Sequence, residues 1–109
     1  MAASIGQTGR FRHTVGEADS AHALGNPGVR VLATPRLAEF CDRAAGKALS
    51  EPTTPMRIDI RHLAATAVGD TVEIVAVLTE IGERRFVFSV SGRDSRSEIV
   101  SGRIERVRA

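Results

Sequence analysis

The spacing of apolar residues changes once along this chain, and that change limits the folds open to it. Before Pro52, apolar residues recur at intervals of three and four, which is the spacing of one buried stripe on an α-helix: Leu37, Phe40, Cys41, Ala44, Ala45, Ala48 and Leu49. After Pro55, apolar and polar residues alternate, as in strands with one buried face. One helix followed by strands predicts an α+β domain, an antiparallel sheet with one face covered by the helix.

Turn and cap signals set the expected limits of these elements. Thr34 followed by Pro35 predicts the start of the helix, with Thr34 as its N-cap, and Pro52 predicts its end near Ser50. Strands are expected from about 56 to 62, 72 to 79, 86 to 90 and 98 to 107, with tight connections at 81–84 and 91–96. Gly102 inside the last strand indicates a bulge or a close approach of another chain segment.

The start of the chain carries weaker signals. Residues 1–10 are small and polar and are expected to be disordered or frayed, which leaves 11–109 as a single domain. Arg12 to Val15 could form a short edge strand. The stretch 16–28 is rich in turn formers and predicts one helical turn followed by a loop.

Charge and composition exclude several classes of function. The net charge is +2, the basic residues are spread along the chain, and there is no Tyr or Trp, so nucleic-acid binding is not expected. No apolar run is long enough for a membrane span or a signal peptide, and the single cysteine allows no internal disulfide. These observations favour a cytoplasmic protein that does not act at a membrane.

Three polar side chains each allow two interpretations. Thr34 would cap the helix, and the unpaired N–H groups at a helix start would also suit a site that polarises a carbonyl. Asp42 falls at the edge of the apolar stripe, where it could pair with an arginine or serve as a catalytic carboxylate. His62 shares a strand face with three apolar residues, so it could be a hydrogen-bonded core residue or a proton-transfer group near pH 7.

Signatures of other catalytic and cofactor sites are missing from the sequence. There is no P-loop, no GxGxxG and no GxSxG motif, and the three histidines lack metal-ligand spacing. Cys41 lies on the buried helical stripe, where a small inert side chain is expected instead of a nucleophile. We therefore expect no metal and no cofactor.

Three segments resemble a known family. Residues 31–45 (VLATPRLAEFCDRAA), 57–88 (RIDIRHLAATAVGDTVEIVAVLTEIGERRFVF) and 98–107 (EIVSGRIERV) are similar to the hotdog-fold thioesterases, and most similar to the fluoroacetyl-CoA thioesterase-like branch. The most specific piece is HLAATAVGDTV, with a strand-ending His, then Ala-Ala-Thr, then a Gly before the next strand. The similarity covers nearly the whole chain from about Arg12. It implies a hotdog fold, in which the antiparallel sheet wraps around one long central helix, and a homodimer or a tetramer built from such dimers.

The resemblance also implies a function. In this branch a Thr at the helix start, an acid inside the helix and a His after the second strand form the catalytic set, and they match Thr34, Asp42 and His62. The implied reaction is hydrolysis of a small acyl-CoA thioester at a dimer interface. The carboxylate would act as nucleophile or general base, the His would help proton transfer to the departing thiolate, and N–H groups at the helix start would hold the thioester oxygen. Substrate contacts are expected from Ala33, Pro35, Arg36 and Pro55, with Arg36 a candidate for the CoA phosphates.

The chain departs from the family pattern at several positions. Asp42 stands where the family typically has Glu, so its carboxylate is one methylene shorter. Pro55 stands near a family Gly and removes a backbone donor. Ile104 replaces the His of a Gly-x-His-Glu-Arg pattern. The first two differences favour an alternative function, a hotdog module that binds acyl-CoA or another small apolar ligand without turnover. A structural or partner-binding subunit is a third option, and it predicts no pocket at the helix start.

Overall fold

Five strands and one long helix make up the fold in the computed structural model, which describes residues 2–109. In chain order, the elements are β1 (Thr8–Thr14), a short 3₁₀ helix (Glu17–Asp19), α1 (Thr34–Lys47), β2 (Thr53–His62), β3 (Thr71–Ile81), β4 (Arg85–Arg93) and β5 (Glu98–Arg108). The strands form one antiparallel sheet in the order β1-β3-β4-β5-β2. The prediction of an α+β domain with an antiparallel sheet around one helix is therefore confirmed, and β1 and β2 are the two sheet edges.

The helix α1 differs from its prediction at both ends. Ala33 is the N-cap, and Thr34 is already the first helical residue, so the Thr34 side chain does not cap the helix. The helix ends at Lys47, before the predicted Ser50, because the Ala48 N–H turns to the Ala45 carbonyl in a tighter final turn. No helix within residues 2–109 is long and apolar enough to cross a membrane.

The buried face of α1 lies on the sheet, and small side chains let β1 come unusually close to it. A Cβ atom at Gly9 of β1 would lie 2.0 Å from the Ala44 carbonyl oxygen and 2.6 Å from the Ala48 nitrogen. Only glycine fits at this point, and only because alanines occupy the facing side of α1. This contact holds the helix backbone directly against the edge strand.

The core between α1 and the sheet is made of aliphatic and Phe side chains. Its largest fully buried members are Phe86, Phe88, Leu32, Leu37, Ile74, Leu78, Ile99 and Ile104. At Gly102 of β5, a Cβ atom would lie 2.3 Å from the Asp59 carbonyl oxygen of β2, which confirms the expected close approach there.

Strand β2 is where burial departs from the alternation in the sequence. The pattern predicted an inward face of Met56, Ile58, Ile60 and His62, but Met56 is 52% exposed and Ile58 41% exposed. Ile60 and His62 are half-buried. The reason is that β2 pairs only with β5 and leaves its other flank without a neighbouring strand. Pro55 is tolerated on this edge, and the register shifts between Pro55 and Arg57.

The N-terminal strand is longer than its prediction. β1 begins at Thr8, inside the stretch 1–10 that was expected to be frayed and ahead of the predicted start at Arg12. Thr8 pairs with Val77 of β3, and the ladder continues to Thr14. The expected single helical turn is the 3₁₀ helix Glu17–Asp19.

The contact at Gly9 gives a first prediction. We expect Gly9→Ala to lower the free energy of unfolding by about 2–3 kcal/mol, because the new methyl group meets helix backbone that cannot rotate away. The measurement is urea unfolding followed by circular dichroism. Gly16→Ala is the matched control, since its Cβ would meet only Asp19 Oδ2 at 3.6 Å, an ordinary contact. Equal stability of the two variants would contradict the close packing.

Candidate active site

Thr34 and His62 meet at the start of α1. The chain turns back within residues 48–52, so β2 runs antiparallel to α1 and its last residue returns beside the first residue of the helix. Thr34 Oγ1 and His62 Nδ1 are 2.8 Å apart, a hydrogen bond between the two side chains. The Thr34 hydroxyl therefore contacts the imidazole ring, and it does not serve the helix cap that the sequence predicted.

The second ring nitrogen of His62 is in an unusual position. His62 Nε2 is buried and has no hydrogen-bond partner within residues 2–109. Burial lowers the pKa of His62 below its ordinary 6.5, against a smaller opposing effect of the Ala64 backbone. The imidazole is therefore neutral near pH 7. Whichever nitrogen carries its proton, Nε2 is the ring nitrogen without a hydrogen-bond partner within residues 2–109, and it is shielded from solvent.

One backbone N–H at the helix start is left for a ligand. The Ala33 N–H donates to the Asp19 carbonyl at 2.9 Å, Pro35 has no N–H, and the Arg36 N–H donates to the Ala33 carbonyl at 3.1 Å. Within residues 2–109 the Thr34 N–H has no hydrogen-bond acceptor, and it lies at the positive end of the helix dipole. It is suited to a carbonyl oxygen that gains negative charge during a reaction.

Two cavities that are open to solvent, each of about 390 Å³, border the Thr34–His62 pair. Thr34 and His62 line both of them, and Ala33 and Pro35 line the first. The opposite wall of the first cavity is the loop 21–29, which contributes the partly exposed apolar side chains of Leu24 and Val29. The pair is thus accessible, with apolar surface beside it.

Asp42 lies in the second half of α1, away from the Thr34–His62 pair. Eight residues separate it from Thr34, which is about 12 Å along the helix axis. Its Oδ1 accepts a hydrogen bond from Arg106 Nη1 at 2.5 Å. Arg106 also donates to the hydroxyl of Thr53, the first residue of β2. Within one chain, Asp42 therefore sits near the beginning of β2 and does not join Thr34 and His62 near its end.

The other two predicted substrate contacts lie outside both cavities. Arg36 Nε is 3.3 Å from Asp19 Oδ1, and its Nη1 is 2.9 Å from Glu39 Oε2, so two carboxylates neutralise the guanidinium. Pro55 is exposed on β2 opposite Arg106, seven residues and about 23 Å from His62 along the strand. In the single chain, neither residue is positioned to contact a ligand at Thr34.

The sequence pattern did not single out Arg106, which contacts Asp42. Its side chain is 11% exposed and lies under α1. Two signals in the sequence point to Arg106. It is a charged residue at an inward position of an alternating strand, and it is the last residue of the stretch 102–106 that matches the Gly-x-His-Glu-Arg pattern. Cys41 behaves as expected, since burial and the neighbouring Asp42 raise the pKa of its thiol to about 12.

The state of His62 can be tested by titration. Burial favours the neutral ring, so we expect the His62 imidazole to titrate below 6.5 in ¹H–¹⁵N NMR spectra that resolve its ring signals. The unfolded chain then binds the proton more readily than the folded protein, and stability is lost as the pH falls below about 6.5. His62→Gln should remove that part of the pH dependence. A midpoint at or above 6.5 would contradict the burial of the ring.

The chain is similar to known proteins over almost its whole length. The FlK family model, described as fluoroacetyl-CoA-specific thioesterase, matches residues 15–108. No curated protein matches the chain. A mutant of the fluoroacetyl-CoA-specific thioesterase FlK, solved with fluoroacetate and CoA, superposes with a TM-score of 0.87 at 28% identity, covering 95% of this chain and 93% of that chain.

Two further solved structures support the fold. A thioesterase superfamily member from Thermus thermophilus has a TM-score of 0.88 at 24% identity and covers 97% of this chain and 83% of its own. A hot-dog-like protein from Thermanaerovibrio acidaminovorans has a TM-score of 0.86 at 21% identity, with coverage of 96% and 82%. At these identities the likeness shows the hotdog fold alone. Since the family model leaves out only the first fourteen residues and the last one, the chain belongs to the fluoroacetyl-CoA-specific thioesterase family.

Proposed function

We propose that this protein hydrolyses a small acyl-CoA thioester as a homodimer, with each active site combining Thr34 and His62 of one subunit with Asp42 of the partner subunit. The observation that carries the proposal is the Thr34–His62 hydrogen bond beside a cavity, with the far nitrogen of the ring buried and unpaired. Family membership supports the reaction class. A related FlK mutant was solved in complex with acetyl-CoA, which supports a short acyl group on CoA.

The edge strand β2 supports the dimer. It presents Met56 and Ile58 as exposed apolar side chains, next to backbone groups that no strand of the same chain pairs. Unprotected edges of this kind pair with another strand. A two-fold axis near Ile58, the middle of β2, would pair the strand antiparallel with its copy and join two sheets into one.

The same axis explains why the catalytic set is divided along β2. Antiparallel pairing places the Thr53 end of one β2 beside the His62 end of the other. Asp42 is held at the Thr53 end by Arg106. The carboxylate of the partner subunit's Asp42 would then lie beside the His62 end of β2. His62 Nε2 lacks a partner and is covered within one chain, so a rotation of the ring would bring it to this carboxylate.

These positions allow a balanced hydrolysis. The thioester carbonyl oxygen accepts a hydrogen bond from the Thr34 N–H, which stabilises the negative charge that develops there. The Asp42 carboxylate removes a proton from a water molecule, and the resulting hydroxide adds to the carbonyl carbon. When the carbon–sulfur bond breaks, the proton passes from Asp42 through His62 Nε2 to the thiolate. Thr34 accepts a hydrogen bond from His62 Nδ1–H and keeps the ring oriented. In the nucleophilic form of this route, the carboxylate attacks the carbonyl carbon, the carbon–sulfur bond breaks and the CoA thiolate leaves. Water then hydrolyses the resulting anhydride, which releases the acid and restores the carboxylate, and the proton lost by the water passes through His62 to the thiolate.

One observation favours a second function. Asp42 is one methylene shorter than the Glu of the family pattern and is ion-paired with a buried arginine, a pairing that a purely structural carboxylate would also make. A dimer with this arrangement could bind an acyl-CoA in the cavity without hydrolysing it. Both functions require the protein to bind an acyl-CoA, and only the first requires it to hydrolyse the thioester.

Thiol release from a panel of short acyl-CoAs separates the two functions. We expect the wild-type protein to hydrolyse at least one of them, and His62→Ala and Asp42→Asn to lower kcat by about 10²–10⁴-fold, since each removes a proton-transfer group. Glu39→Gln is the matched control, an exposed acid on the same helix that should keep wild-type activity. Saturable binding without thiol release would establish the ligand-binding module.

The division of each site between subunits makes a quantitative prediction. An exchanged equimolar mixture of His62→Ala and Asp42→Asn dimers should regain about a quarter of wild-type activity. Half of the dimers are then mixed, and each mixed dimer has one site with both groups intact. If Asp42 and His62 of the same chain formed the site, no activity would return on mixing.

The dimer edge itself can be tested with two equally exposed isoleucines. Ile58 and Ile81 are both 41% exposed, but only Ile58 lies in the middle of β2. We expect Ile58→Asp to give a monomer by light scattering and to lose activity, because it puts two charges face to face across the two-fold axis. Ile81→Asp should remain a dimer. Dimeric, active Ile58→Asp protein would exclude this interface.

A further inference from the structure

We infer that Arg106 is a positioning residue for the reaction, because it fixes the Asp42 carboxylate in one orientation and ties it to the edge strand that would carry the second subunit. The inference rests on the proposed catalytic role of Asp42 and adds a residue to it. It stands on the contacts of one nearly buried guanidinium with two elements of the fold.

Within residues 2–109, the Arg106 guanidinium donates hydrogen bonds to two residues, Asp42 and Thr53. Its Nη1 reaches Asp42 Oδ1 at 2.5 Å and the Asp42 main-chain carbonyl at 3.5 Å. Its Nε donates to Thr53 Oγ1 at 2.8 Å, and its Nη2 donates to the Thr53 carbonyl at 2.9 Å. A guanidinium is rigid and planar, so these bonds fix the position of α1 relative to the first residue of β2.

The Arg106 guanidinium packs directly on the helix beside Asp42. Gly46 lies one turn after Asp42 on the same helix face. A Cβ atom at Gly46 would lie 3.4 Å from Arg106 Cζ and 3.5 Å from Nη2, which is ordinary van der Waals distance. The guanidinium therefore lies against this turn of α1 as well as against the Asp42 carboxylate.

The bonding pattern suits orientation better than neutralisation alone. The hydrogen bonds with Arg106 use Asp42 Oδ1 and its main-chain carbonyl, and no hydrogen bond within residues 2–109 involves Oδ2. Oδ2 is therefore the oxygen that can meet water or the imidazole across the interface. Because Asp has a shorter reach than Glu, small rotations of its carboxylate matter more, and holding one oxygen restricts them.

Thr53 adds the link to the second subunit. β2 begins at Thr53, and both bonds to this residue hold the start of the strand against Arg106. If two β2 strands pair, the position of Asp42 relative to the interface is set through Arg106. A misplaced carboxylate would then lower turnover in a protein that still folds, pairs and binds substrate.

The test is steady-state kinetics of Arg106→Met beside Arg108→Met. Arg108 lies two residues along the same strand, is paired with Glu51 at 3.0 Å and packs over the Phe86 ring, away from Asp42. We expect Arg106→Met to lower kcat by about 10–100-fold with KM changed by less than about threefold. Arg108→Met should change kcat by less than about threefold. Equal kcat values for the two variants would overturn the inference.

A double-mutant cycle separates positioning from plain stability. In an Asp42→Asn background there is no carboxylate to orient, so adding Arg106→Met should change the residual kcat by less than about twofold. A further tenfold loss in that background would overturn the inference. If Asp42→Asn alone kept full activity, the proposed function of Asp42 would fail instead, whatever Arg106 does.

Two milder variants keep the test valid if Arg106→Met does not fold. Arg106→Lys keeps the charge without the planar fork, and Thr53→Val removes the acceptor of Nε while leaving the Asp42 pair. We expect each to lower kcat by about 3–10-fold at unchanged KM. Wild-type kcat in both folded variants would show that Arg106 has only a structural role.

Discussion

The direct contact between the backbones of β1 and α1 at Gly9 sets the position of the helix on the sheet. No side chain separates the two elements at this point, so the helix cannot slide or tilt without breaking backbone contacts. Thr34 lies eight residues before Asp42 on α1, and Gly46 lies four residues after Asp42, so the three follow one another in a row along the helix. That row meets His62 at one end and Arg106 at the other. A packing constraint on one side of the helix thereby positions the polar groups on its other side.

The polar groups are distributed along an edge strand, and this has consequences for how the protein works. A residue in the middle of a sheet has its neighbours from its own chain, but the groups at the two ends of β2 lie beside an open edge. The isolated chain holds Thr34 and His62 together and Asp42 apart. In the proposed function, catalysis therefore depends on dimer assembly, since a change that opens the dimer also separates the Asp42 carboxylate from the His62 imidazole.

The sequence predicted most of the fold because its evidence there is local. The three-and-four spacing identified α1, the alternation identified the strands, and Gly102 was placed correctly at a close approach. Thr34 was predicted to be the N-cap, but the helix begins one residue earlier than expected and Ala33 is the N-cap. An error of one residue in the helix start is enough to assign the cap to the wrong side chain. Met56 and Ile58 were expected to be buried, since a period of two shows which residues share a face but not whether the strand lies at an edge.

The site was predicted less completely, because contacts between distant residues leave little trace in spacing. Thr34 and His62 were named from their local settings and are 2.8 Å apart in the structure. Asp42 was also named, but its pairing with Arg106 spans 64 positions in the sequence and no period in the chain encodes it. Arg36 looked available for phosphate contacts until Asp19 and Glu39 were seen to neutralise it.

The burial of Cys41 has a consequence for the chemistry next to it. A thioester is open to attack by any nearby thiolate, and such an attack would transfer the acyl group to the protein in place of water. Cys41 is adjacent to Asp42 in sequence, but it is fully buried and its thiol has a pKa raised to about 12. It therefore stays protonated and out of reach of solvent. In the proposed function, Cys41 beside Asp42 therefore offers a thioester no competing acceptor, and the main reason is its burial.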